Sequence, residues 1–88
     1  MTVTVPWILG REYAQHRSLD PDGLPERFED WCTAQKRICG MLAEVLRQRV
    51  VRVVIRPREL ESWAMRHGVA IDDGARAQLA ADLWKQKR

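Results

Sequence analysis

The sequence predicts a small α+β domain that is mostly helical, with three or four helices and one or two short β-strands. Apolar residues recur at helical spacing in residues 25–48, 57–67 and 74–86, and this periodicity predicts the helices. Between the first two of these segments, residues 50–55 (VVRVVI) are rich in β-branched side chains, which favour a strand. A chain of 88 residues is too short for two separate cores, so residues 1–88 are predicted to form one globular domain.

The N-terminal part predicts a short strand, a short helix and a loop. Thr2–Val5 alternates polar and β-branched residues, which predicts an edge strand that ends at Pro6. Residues 7–17 (WILGREYAQHR) predict a helix whose first turn is weakened by Gly10. Residues 18–25 (SLDPDGLP) predict a loop, because two prolines, two aspartates and a glycine fall within them.

Residues 25–48 carry the clearest helical signal. Pro25 suits a first helical turn, and the three acids in residues 26–30 complement the positive end of the helix dipole. The apolar residues at helical spacing are Phe28, Trp31, Cys32, Ile38, Met41, Leu42, Val45 and Leu46. Gly40 lies inside this helix without a stop signal, so we expect it to allow close packing against another element.

The next segment, RQRVVRVVIRPREL at residues 47–60, is open to two interpretations. As a strand, Val51, Val53 and Ile55 form one apolar face and the arginines lie on the other. As a continuation of the helix, the apolar stripe would extend and the fold would be all-α. The strand is preferred, because a helix reaching Ile55 would be longer than most helices in small domains. A strand needs a neighbour to pair its backbone groups. The candidates are Thr2–Val5, residues 69–71 and another chain.

Two further helices are predicted after this segment. Pro57 begins the first, acids lie in its first turn, and Gly68 ends it. Asp72 or Asp73 caps the second, whose sequence GARAQLAADLWKQ runs to a basic end.

The composition predicts a packed core and reduced cysteines. Four tryptophans are spread along the chain and are predicted to pin separate elements to a common core: Trp7, Trp31, Trp63 and Trp84. Cys32 and Cys39 fall on one helix face, too far apart for a disulfide, so both are predicted to be reduced core residues. Reduced cysteines favour the cytoplasm. No signal peptide and no membrane-spanning segment is predicted.

Positive charge is concentrated in the middle of the chain. The formal net charge is +3, yet residues 36–58 contain seven basic residues and one acid, whereas residues 1–35 are acidic. Such a distribution favours either a surface for a partner or internal pairing between the two segments.

No catalytic, cofactor or metal site is predicted. His16 and His67 are the two histidines of the chain, and neither lies in a nucleophile motif. Their spacing completes no zinc site with the cysteines, and the five dispersed glycines form no phosphate-binding loop. We therefore expect a protein that is not an enzyme and needs no cofactor.

Residues 11–31 (REYAQHRSLDPDGLPERFEDW) resemble the helix-turn-helix of small phage regulators and excisionases. The residues in core-like places are Tyr13, Ala14, Leu19 and Leu24. The resemblance implies a DNA-binding transcriptional regulator. Ser18 replaces the usual turn glycine, however, and the acids that begin the second helix would repel phosphates.

A second resemblance covers residues 50–84, which include VRVVIRPRELESWAMRHGVAIDDGARAQLAADLW. This order of strand, proline-started helix, glycine stop and Ala/Arg-rich helix looks like small accessory proteins of temperate, transposable phages and related mobile elements. The resemblance implies a class in which some members bind and inhibit host enzymes or defence complexes, anti-CRISPR proteins among them. It assigns no functional residue.

The sequence therefore predicts a small cytoplasmic protein that binds a host protein or protein complex stoichiometrically and inhibits it. Arginine pairs with carboxylates and is enriched at interfaces. The predicted partner-binding residues are Arg47, Arg49, Arg52, Arg56, Arg58 and Arg66. The alternatives are a nucleic-acid partner and a homodimeric structural module in which the basic strand pairs across a two-fold axis. No membrane partner is expected.

Overall fold

The computed structural model describes residues 1–87. In chain order the elements are β1 (Thr2–Trp7), a 3-10 turn (Gly10–Glu12), α1 (Tyr13–Leu19), α2 (Phe28–Glu44), β2 (Arg49–Val54), α3 (Pro57–His67) and α4 (Asp73–Gln86). Four α-helices and two strands in the described residues confirm the predicted α+β class with mostly helical content.

The two strands pair in parallel, in a register that places Thr2 opposite Arg49 and Trp7 opposite Val54. A parallel pair requires a long crossover connection, and α1 and α2 supply it. The strand interpretation of the basic segment is thus confirmed, and its neighbour is the N-terminal strand.

The predicted end of β1 at Pro6 is wrong, because the strand continues to Trp7. The carbonyls of Met1 and Trp7 accept hydrogen bonds from the N–H groups of Arg49 and Ile55. Backbone groups of successive residues in a strand point to opposite sides, so the Pro6 nitrogen faces away from β2. Proline therefore costs this sheet no hydrogen bond.

The predicted faces of β2 are confirmed. Val53 and Ile55 are buried and Val51 is half-buried, whereas Arg52 and Val54 are exposed. The alternation of the strand therefore separates core from surface as the sequence indicates.

The predicted helix over residues 7–17 is wrong in its first half. Trp7 belongs to β1, a 3-10 turn follows, and α1 begins only at Tyr13. Pairing of Trp7 with Val54 holds it in extended conformation. A Cβ atom at Gly10 would lie 3.0 Å from the Phe28 ring, so this glycine permits close approach of the turn to α2.

Helix α2 is shorter than the predicted 25–48. It begins at Phe28, because the Tyr13 hydroxyl donates to the Pro25 carbonyl and holds Pro25 in the preceding loop. It ends at Glu44, and Arg47 then adopts a left-handed conformation with φ of 53°. Close packing at Gly40 is also a wrong prediction, since a Cβ atom there would meet nothing within 4 Å.

The last two helices confirm their predicted start and stop signals. Pro57 begins α3, and Gly68 ends it with a φ of 63°, the left-handed conformation that glycine adopts without strain. Asp72 caps α4 by accepting a hydrogen bond from the Ala75 N–H at 2.9 Å.

All four tryptophans contact one core, as predicted. Trp31 and Trp63 are buried, and the half-buried Trp7 and Trp84 pack against the same cluster. Trp7 and Trp31 meet edge to face with centroids 5.0 Å apart, which joins the sheet to α2.

Both cysteines are free thiols; Cys39 is buried and Cys32 is half-buried. Within the residues that the structure describes, no helix combines the length and apolar character needed to cross a bilayer.

Candidate partner-binding groove between α3 and α4

The six predicted arginines are all exposed, but they do not form one surface. Arg49 and Arg56 are seven residues apart along extended chain, which corresponds to about 23 Å at 3.3 Å per residue. Arg47 and Arg49 therefore lie at the start of the basic strand, whereas Arg56 and Arg58 lie beyond its end.

Arg52 and Arg56 make contacts within the protein. The Arg52 guanidinium lies 4.2 Å from the centroid of the Trp7 ring, a cation–π geometry. The Nε of Arg56 lies 2.8 Å from both carboxylate oxygens of Glu12. The hydrogen bond from Arg56 lowers the pKa of Glu12 below its ordinary value of 4.5. Arg56 thus ties the start of α3 to the turn before α1, and its charge is already paired.

Arg58 and Arg66 line a groove of about 950 Å³ between α3 and α4. Spacing by four residues puts Arg58, Ser62 and Arg66 along one face of α3. Leu79 and Leu83 lie at the same spacing on α4. The groove is lined by Arg58, Glu59, Ser62, Trp63, Arg66, His67, Leu79, Asp82, Leu83, Lys85 and Gln86. We call it the α3–α4 groove.

Trp63 holds the two walls of the α3–α4 groove together. Its indole Nε1–H donates to Asp82 Oδ2 at 2.9 Å across the two helices. This hydrogen bond lowers the pKa of Asp82 below its ordinary value of 3.8, so Asp82 is ionised at neutral pH. His67 stacks on the Trp63 ring with centroids 4.1 Å apart and donates from Nδ1 to the Trp63 carbonyl at 2.8 Å. Trp63 is itself buried, so it fixes the two helices beneath the groove.

Three cations at the groove form no ion pair with another described residue. In the described part of the chain, no ion pair involves Arg58, Arg66 or Lys85. Glu59 and Asp82 lie among them. The groove thus offers positive groups around an apolar floor, an arrangement suited to binding an acidic segment that also carries an apolar side chain.

Ser62 and His67 both line the groove, and the His67 Nδ1 donates to the Trp63 carbonyl. Among residues 1–87, no three His, Cys, Asp or Glu side chains are placed to hold a metal ion.

Sequence reasoning missed Trp63 and Lys85 as groove residues. The four-residue spacing of Arg58, Ser62 and Arg66 marks one face of α3. The facing residues of α4 are set by how the two helices pack, which no local pattern indicates.

No protein-family model matches this chain, and searches of curated proteins and of solved structures found no significant match.

Proposed function

We propose that this protein binds a partner protein stoichiometrically through the α3–α4 groove and performs no catalysis. The observation that carries the proposal is the set of three cations, Arg58, Arg66 and Lys85, that surround an apolar floor without an intramolecular ion pair in the described residues. Arginine is enriched at interface surfaces and at the positions that carry most of the binding free energy.

The partner on this proposal carries carboxylates next to an apolar anchor. A guanidinium binds a carboxylate through two parallel hydrogen bonds, and the half-buried side chain of Leu83 contacts the anchor.

On this proposal the protein is encoded by a phage or a mobile element. It acts in the cytoplasm and inhibits the host protein or defence complex that it binds. The resemblance of residues 50–84 to phage accessory proteins supports this part of the proposal, and the free thiols of Cys32 and Cys39 suit a reducing compartment.

The test is affinity purification from the native host, followed by titration calorimetry with the purified partner. We expect one partner molecule per chain, and reversal of both groove arginines (Arg58→Glu with Arg66→Glu) to weaken binding at least about 30-fold. Circular dichroism should show an unchanged fold, since both side chains are exposed.

The matched control is reversal of two other predicted arginines, Arg47→Glu with Arg49→Glu. These residues lie at the opposite end of the strand, so we expect the control to bind as the wild type does. If the control loses the partner and the groove variant keeps it, the proposed site is wrong.

The alternative that the protein binds nucleic acid is tested separately. Residues 20–27 connect α1 to α2, a connection of eight residues against the three or four of a helix-turn-helix. A mobility-shift experiment at low salt should show no complex with duplex DNA. A DNA complex that is lost when Arg58 and Arg66 are both changed to Glu would show that the α3–α4 groove binds nucleic acid and not a protein.

A further inference from the structure

Helix α2 has an apolar arc that the core covers only in part. At 100° per residue, its apolar positions span about half of the helix circumference. Trp31 and Cys39 face the core and are buried. Ile38, Met41 and the residue after α2, Val45, which keeps a helical conformation, lie on the other side of the arc and are 41%, 51% and 70% exposed.

The exposed positions follow the spacing of a helix–helix seam. Ala34, Ile38, Met41 and Val45 are separated by four, three and four residues, and all four are exposed. This alternation of fours and threes is the pattern by which one helix packs along another at a small crossing angle. The occupant that fits this surface is therefore another helix.

We propose that two copies of this protein pair through α2, antiparallel, about a two-fold axis. In this arrangement Ile38 of each copy packs against Met41 of the other, and Ala34 packs against Val45 of the other. A two-fold interface uses the same surface on both copies, so every contact occurs twice.

Charge complementarity selects a second copy as the occupant. Arg37 and Glu44 directly precede the seam residues Ile38 and Val45, so they flank the seam on the same side. In an antiparallel pair, residues in this flanking position face one another, and Arg37 of each copy meets Glu44 of the other. Both residues are exposed. Neither forms an ion pair within residues 1–87.

A parallel pair lacks this match, because Arg37 would face Gln35 or Leu42 of the other copy. A membrane surface is also a poorer occupant, because the seam contains no Trp or Phe, the residues that enrich the apolar face of interfacial helices. The dimer differs from the one predicted through the basic strand, and it leaves the α3–α4 groove free on both copies.

The seam is short, so the dimer is weak. Four seam residues per copy bury less than the roughly 1,200 Å² of most stable interfaces. We expect a dissociation constant on the order of 10 μM.

Sedimentation equilibrium of the full chain tests the pairing with a charge exchange. The wild type should be mainly monomeric at low-micromolar concentrations and mainly dimeric at high-micromolar concentrations. Arg37→Glu alone or Glu44→Arg alone places like charges across the seam twice, and each should weaken the dimer about tenfold or more. The double exchange, Arg37→Glu with Glu44→Arg, restores two ion pairs and should restore the dimer.

Val45→Glu provides a second disruption, and it should leave the circular dichroism unchanged because Val45 is 70% exposed. The proposal is overturned by a wild type that stays monomeric throughout, by a dimer that both single reversals leave unchanged, or by a double exchange that does not recover it. A dimer that both single reversals leave unchanged would instead point to pairing through another surface, such as the edge of β2. None of these outcomes bears on the α3–α4 groove, whose test uses other residues.

Discussion

Arg76 has a structural role that sets it apart from the exposed arginines. Its side chain is 4% exposed and is paired with Asp20 at 2.8 Å and with Asp73. A buried charge needs such partners, because desolvation is costly. The pairs join the end of α1 to the start of α4, so part of the positive charge of the chain is neutralised inside the fold.

His16 makes the stability of the protein depend on pH. The side chain is 1% exposed, its Nε2 donates to the Ile55 carbonyl at 3.2 Å, and its Nδ1 has no partner among the described residues. Burial lowers the pKa of His16 below its ordinary value of 6.5. His16 therefore becomes protonated in the unfolded chain as the pH falls below 6.5, whereas in the folded chain it stays neutral to a lower pH.

We expect the free energy of unfolding to decrease as the pH falls from 6.5 until the lowered pKa of folded His16 is reached. Urea unfolding at several values between about pH 7.5 and 5 measures this slope. Glu12 and Asp82 have pKa values lowered from 4.5 and 3.8, so their contribution is lost only at lower pH. A His16→Gln variant that retains the full slope would contradict the assignment.

Gly40 is a site where a larger residue should stabilise the protein. It lies inside α2, and a Cβ atom there would meet nothing within 4 Å. Gly40→Ala should raise the free energy of unfolding by about 0.5–1 kcal/mol, because alanine lowers the entropy of the unfolded chain and favours the helix. Chemical denaturation measures the change.

The matched control for Gly40 is Gly68→Ala. Gly68 also has open space around its Cβ position, but its φ is +63°, so alanine there should destabilise the fold. If both substitutions change the free energy of unfolding in the same direction, the difference in backbone conformation does not decide the outcome.

At the scale of the element, β2 offers a direct test of its two faces. Val53 is 5% exposed and Val54 is 42% exposed, although they are neighbours of the same residue type. We expect Val53→Ala to lower the free energy of unfolding by about 2 kcal/mol and Val54→Ala to lower it by less than about 0.5 kcal/mol. Equal costs in thermal or urea unfolding would show that the strand does not bury one face.

Local signals were sufficient to predict the bounds of some elements. Helix α3 starts and ends where Pro57 and Gly68 indicate, because these residues act through their own backbone conformation. Helix α2 was predicted too long, since Pro25 is held by a hydrogen bond from Tyr13, twelve residues earlier. Residues 7–12 were predicted as helix, because the pairing of Trp7 with β2 has no local signature.

At the scale of the whole molecule, the α2 dimer should appear in thermal unfolding. Dissociation is coupled to unfolding when the dimer forms, so the melting temperature should rise by about 2–4 °C for each tenfold increase in protein concentration. The Arg37→Glu variant should show this increase only at concentrations about tenfold higher or more. A melting temperature of the wild type that does not change with concentration would contradict the dimer.

The candidate groove could be predicted only in part. Arg58 and Arg66 were among the predicted contact residues, and the structure places both at the α3–α4 groove. Trp63 and Lys85 were not, because their place in the groove depends on the packing of α4 against α3. The exposed half of α2 was also missed, since its apolar spacing is the same as that of a fully buried helix.

The sequence by itself determined the mostly helical content and the start and stop of α3, and it favoured the basic strand over a longer helix. Each depends on residues within a few positions of one another. The tertiary structure alone decided which charges are paired, since Arg56 meets Glu12 across 44 residues and Arg76 meets Asp20 across 56. It also decided which apolar residues stay uncovered. Both outcomes depend on which elements meet in space, because burial and pairing act between surfaces that lie far apart in the chain.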